Sequence, residues 1–103
     1  MRRPIRIAIL DTGVNKKHPS INVGFELGRL SDDRCYNWVD NSTNVEDSDG
    51  HGTNVTTQIL RAAPEDVEIY VAKVFSKKEV HIDELDNVVK VRFSGVCFWL
   101  VLE

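Results

Sequence analysis

Apolar residues along this chain gather into short runs and periodic stretches separated by polar, glycine-rich segments. "IRIAIL", residues 5–10, is a short apolar run rich in isoleucine. That is the pattern of a strand buried on both faces in a parallel sheet, not of an alternating edge strand. Asp11 closes the run, which puts its carboxylate at the strand's carboxyl end. Residues 12–33 hold Gly13, Pro19, Gly24 and Gly28 among polar positions without a sustained period, and are expected to be mostly loop. "RCYNWVD", 34–40, has the β-branched and aromatic character of a weak strand, and "NSTNVEDSDG", 41–50, is dense enough in turn formers and acids to read as an exposed loop.

From Gly52 the period changes. Val55, Ile59 and the Ala62/Ala63 pair recur every three to four residues, as on one face of a helix that Pro64 ends, and His51 stands at its start. "VEIYVAKVF", 67–75, reads as a second buried strand, and Ile82, Leu85, Val88, Val89 and Phe93 mark a second amphipathic helix. The alternation of strand and helix predicts an α/β domain with a parallel sheet, whose functional residues gather at the carboxyl ends of the strands. Asp11 and His51 would share that rim.

Composition narrows the class. A chain of 103 residues is one small domain, and 42% hydrophobic with 28% charged residues is a globular balance, which excludes disordered and collagenous chains. The net charge of -3, with no basic stripe, gives no reason to expect a nucleic-acid partner. The two cysteines, Cys35 and Cys97, stand in no metal-ligand spacing and are expected to be free thiols. Asp11 interrupts the amino-terminal apolar run and no small-residue cleavage site follows, so no signal peptide is expected and an intracellular location is favoured. On that reading the sequons Asn41-Ser42-Thr43 and Asn54-Val55-Thr56 are chance matches. "VCFWLVL", 96–102, is far below the ~20 residues that cross a bilayer, so no membrane span is expected.

An Asp-Thr-Gly at a strand tip serves two chemistries. The carboxylate activates water as half of an aspartic dyad, or it orients a histidine. Alone it marks no more than a turn. The second motif, "DSDGHGT" at 47–53, sets a histidine between glycines at the opening of a helix. Together, Asp11 in "AILDTGVNKKHP" and His51 in "DSDGHGTNVTTQIL" resemble the aspartate and histidine blocks of the subtilisin-like serine proteases, and "APEDVEIYVAKVF" resembles the strand that follows the histidine helix in that family.

The resemblance implies an α/β fold, here an incomplete doubly wound parallel sheet of the subtilisin-like type. It further implies a serine-type endopeptidase acting on peptide or protein substrates, with Asp11 and His51 as its catalytic residues. Asp11 would hold the imidazole in the tautomer whose free nitrogen faces the serine hydroxyl. Gly50 and Gly52 would let the backbone pass close beside the ring. His18 matches a histidine commonly found after the aspartate block, with a structural job expected. Asp47 and Asp49 are expected to shape the loop before His51 and not to bind metal. No cofactor is expected, and the calcium sites frequent in the family are not identifiable here.

Two departures stand out within the matched blocks. Asn54 stands where the family usually has a second histidine, and Thr56 and Thr57 stand where it has small residues such as Ala-Gly. The family's Gly-Thr-Ser nucleophile block and oxyanion asparagine region find no counterpart among Ser20, Ser31, Ser42, Ser48, Ser76 and Ser94. Losing the serine of such a triad costs on the order of a millionfold in turnover, so this chain alone is expected to be inactive. Residues 1–90 read as the amino-terminal portion of the peptidase domain. Residues 91–103 read as an apolar tail foreign to the family, expected from intron read-through or truncation. The alternative is a non-catalytic interaction module on a degenerate protease scaffold; an aspartic peptidase would need an all-β fold.

Overall fold

The computed structural model describes residues 5–74 and Ser76. The expected second amphipathic helix, Cys97, the 96–102 apolar run and the boundary at residue 90 lie outside the described residues. Within them the chain forms β1 (Arg6–Asp11), α1 (Pro19–Glu26), a 3-10 turn (Asp32–Arg34), β2 (Cys35–Asn37), α2 (His51–Ala62) and β3 (Glu68–Lys73). The strands make one parallel three-stranded sheet in the order β1-β3-β2. This is the α/β architecture that the alternation of periods predicts.

The consecutive burial of Ala8, Ile9 and Leu10 fits a strand covered on both faces, and Ile69, Val71 and Ala72 do the same for the central strand β3. Register brings the strand ends level: Asp11 pairs with Lys73 from one side and Asn37 from the other. Val74 N donates to Asp11 O at 3.0 Å and Trp38 N to Lys73 O at 2.7 Å, so the three carboxyl ends form one rim.

Helix α2 ends where the sequence says it must. Ala63, before Pro64, is extended at φ -82, ψ 147, because the proline ring excludes the helical conformation from the residue before it. The freed carbonyls find a cation that no sequence pattern announces. Arg29 donates from its guanidinium to Leu60 O at 2.6 Å, Ala63 O at 3.0 Å and Pro64 O at 3.1 Å, placing positive charge at the negative end of the helix.

Two loop expectations hold for most of their residues and gain detail. Residues 12–33 contain α1, which starts at Pro19 in the first-turn position that proline favours. His18 is its cap: the ring Nδ1 accepts from Ser20 N at 3.2 Å, the structural job expected of it. The helix escaped the periodicity because one of its two buried positions is a glycine. A Cβ on Gly24 would lie 3.0 Å from Leu30 Cδ1 and 3.3 Å from Leu60 Cδ1, so α1 packs closely there with no apolar side chain of its own.

The 41–50 segment is exposed along most of its length but is pinned at Val45, which is 1% exposed. Val14 N donates to Val45 O at 2.8 Å. Gly13 makes that approach possible, since it has φ +108 and any Cβ there would overlap the Val45 carbonyl. The weak strand at 34–40 is shorter than read. It stops at Asn37, whose side chain turns the chain back by accepting from Val39 N at 2.8 Å and Asp40 N at 3.3 Å while donating to Asn44 O at 2.8 Å.

Candidate active site

The Asp-Thr-Gly segment at the tip of β1 and the Gly-His-Gly segment opening α2 interlock backbone to backbone. A Cβ on Gly52 would overlap Gly13 O and lie 2.8 Å from Gly13 N and 3.0 Å from Thr12 N. Only glycine lets the first turn of the helix rest on the strand tip. Gly50 has a different reason: a Cβ there meets nothing within 4 Å, but the residue holds φ +99 as the helix cap. The expectation that both glycines clear space beside the imidazole is therefore corrected. One clears space for the opposite backbone and the other supplies a left-handed turn.

The first turn of a helix presents N–H groups without helical partners. Here each is met from outside the helix: His51 N donates to Asp49 Oδ2 at 3.3 Å, Gly52 N to Thr12 Oγ1 at 2.8 Å and Thr53 N to Asp47 Oδ2 at 2.9 Å. The loop carboxylates thus cap the helix and shape its approach, as expected. Among the described residues no group of three or more His, Cys, Asp or Glu side chains gathers so as to hold a metal ion.

Asp47 does more than cap. Its Oδ1 accepts from Thr12 Oγ1 at 2.8 Å, Gly50 N at 2.8 Å and Asp49 N at 3.1 Å, while its Oδ2 also accepts from Thr53 Oγ1 at 2.6 Å. Burial works against ionisation of this carboxyl. The hydrogen bonds from the Thr53 hydroxyl, Gly50 N, Thr53 N and Thr12 outweigh burial and hold its pKa below the ordinary carboxylate value. Sequence reasoning assigned Asp47 to the loop and missed its tie to Thr12, a residue distant in sequence and fully buried.

Asp11 and His51 meet on this frame. His51 Nδ1 lies 2.8 Å from Asp11 Oδ1 and 3.0 Å from Oδ2, and Thr12 N also donates to Oδ1 at 2.8 Å. Asp11 is only 2% exposed, whereas the imidazole keeps 17% of its surface open. An ionised carboxylate only accepts, so Nδ1 carries the hydrogen and Nε2 is left as the free basic nitrogen. A buried carboxylate thus holds a partly exposed imidazole. Among the described residues no serine hydroxyl bonds to that imidazole, and no second carboxylate bonds to Asp11.

The departures from the family pattern lie in the first half of α2, on more than one of its faces. Asn54 and Thr57 line a pocket of about 290 Å³ with Asn15, His18, Asp47 and Thr53. Thr56 is fully buried, and its hydroxyl has no hydrogen-bond partner among the described residues. Cys35 is a free, buried thiol. Burial raises its pKa to about 11 against the opposing charge of Lys16. Among the described residues no helix is long and apolar enough to cross a membrane.

Comparison with protein families matches residues 2–92 to the subtilase family. No curated protein and no solved structure matches the chain.

Proposed function

The chain belongs to the subtilase family, and from that footing we propose that Asp11 and His51 are the orienting acid and general base of a serine-type endopeptidase whose nucleophile lies outside residues 1–103. The observation that carries this reading is the 2.8 Å approach of His51 Nδ1 to a buried Asp11 carboxylate at the carboxyl rim of a parallel sheet. In such a pair Nε2 takes the serine proton as the hydroxyl attacks a peptide carbonyl. Asp11 fixes the tautomer and stabilises the imidazolium that forms. Neither residue has a nucleophilic role, so residues 1–103 alone are inert toward peptides. Their substrates are those of a product that carries the serine.

The aspartic-dyad reading has no such support. Both Asp11 oxygens are taken up by His51, and the sheet is parallel with helices in its crossovers. A fluorophosphonate that esterifies an activated serine separates the remaining possibilities. The 103-residue chain stays unlabelled. A longer product of the same gene, carrying an in-frame Gly-Thr-Ser, is labelled at that serine, and His51→Ala abolishes the labelling. Undiminished labelling of the His51→Ala product would sink the assignment. Failure of any serine-bearing product to label would favour the interaction module.

A further inference from the structure

We propose that Asp47 is a positioning residue for this site: it fixes the imidazole of His51 against Asp11 by tying the tip of β1 to the first turn of α2. This rests on the proposed Asp11–His51 pair and assigns a role to a residue whose described hydrogen bonds go to neither side chain of it.

The case begins with how the two partners are carried. Asp11 is the last residue of β1 and His51 the first of α2, so their separation is set by where a helix end sits on a strand end. Main-chain hydrogen bonds of the sheet fix Asp11, through Val74 N to Asp11 O at 3.0 Å. No ladder of that kind fixes the helix. Its first turn is held by side chains, and among those of the described residues Asp47 is the one that belongs to neither the strand tip nor the helix and bonds to both. One carboxylate oxygen receives the hydroxyl of Thr12, beside Asp11, together with Gly50 N, beside His51; the other receives Thr53 N and Oγ1 on the helix. Thr12 completes the bridge, since its oxygen also accepts from Gly52 N at 2.8 Å. A closed ring of hydrogen bonds therefore runs from Asp47 to Thr12, into the helix at Gly52 and Thr53, and back to Asp47.

Charge and geometry make Asp47 hard to replace. Its oxygens face N–H and O–H donors, so an amide in its place would turn an NH2 group toward some of them. Asn is close in shape and wrong in hydrogen bonding. Asp49 also accepts from the helix, at His51 N, but over 3.3 Å and with no described bond to the strand tip. It serves as the comparison residue.

The test reads the imidazole directly, in the full 103-residue chain. Nitrogen chemical shifts of the His51 ring report the ratio of the Nδ1–H to the Nε2–H tautomer at neutral pH. Asp47→Asn and Asp47→Ala are expected to reduce the preference for Nδ1–H roughly tenfold, the equivalent of one hydrogen bond. Asp49→Ala should leave it within about twofold of the parent, because it removes only one long bond. A merely structural Asp47 would lower the melting temperature and leave the tautomer ratio of the folded fraction unchanged, and that result overturns the proposal. If the Asp47 variants do not fold, Thr12→Val and Thr12→Ser take their place. Valine removes the bridge and should shift the ratio, while serine keeps the hydroxyl and should restore it; equal ratios in the two would count against the idea. A parent chain without an Nδ1–H preference would instead refute the Asp11–His51 reading beneath it.

Discussion

Thr12 Oγ1 accepts from Gly52 N at 2.8 Å, and across this contact a strand tip and a helix start become one unit. The hydroxyl belongs to the residue after Asp11 and the N–H to the residue after His51. The spacing of the two motifs in sequence says nothing of this. The contact nonetheless explains why each motif carries its neighbours: threonine and glycine after the acid, glycine after the base.

The acid is expected to act through orientation. In a serine-bearing product, Asp11→Asn presents an amide to Nδ1 and can favour the wrong tautomer. Turnover should then fall by about 10⁴-fold, with KM changed far less. Steady-state kinetics on a peptide substrate checks this, and a loss confined to KM would argue against orientation.

The two glycines around His51 should fail by different amounts. Gly52→Ala drives a methyl group into the backbone of Thr12 and Gly13, neither of which can yield without moving β1, and should cost about 3 kcal/mol. Gly50→Ala has open space and bears only the left-handed backbone, worth about 1 kcal/mol. Urea midpoints of the two variants measure the difference, and equal losses would contradict the packing described above.

Thr56 offers a gain. Its buried hydroxyl has no partner among the described residues, so Thr56→Val keeps the shape, removes a desolvated polar group and should stabilise the chain by about 1 kcal/mol. Thr57→Val is the control, because Thr57 Oγ1 donates to Asn54 O at 2.8 Å and its loss brings no comparable gain. Thermal melts of both variants decide the point.

Cys35 sets an alkaline limit. Its folded pKa of about 11 lies above the unfolded value of 9.0, so the folded state holds the thiol proton more tightly. The stabilisation is complete below pH 9.0, declines as the unfolded thiol ionises, and is lost by the time pH passes about 11. Urea unfolding across that range, in a Cys97→Ser background, should show stability falling with pH. Further replacement of Cys35 by alanine should flatten the slope.

Much of the fold was legible because its strands announce themselves. β1 and β3 are buried on both faces, and a run of apolar residues records that directly. α2 was legible from its period and its proline. α1 was not, because Gly24 replaces an apolar side chain at the close contact and His18 is an unusual cap. Of the site, Asp11 and His51 were legible as a pair through their motifs. Asp47, Thr12 and Arg29 act through tertiary hydrogen bonds, and such bonds leave no period in a sequence.

The strand order β1-β3-β2 bears on synthesis as well as structure. β3 lies between strands that precede it in the chain, so β1 and β2 have no sheet to join until β3 has been made. A nascent polypeptide that has emerged through Ala62 already carries both Asp11 and His51. The ladder that pairs Asp11 with Lys73 must wait for the ribosome to release β3. Asp11 and His51 are therefore translated early and anchored late, and the last of the described strands to emerge is the one that locks the rim.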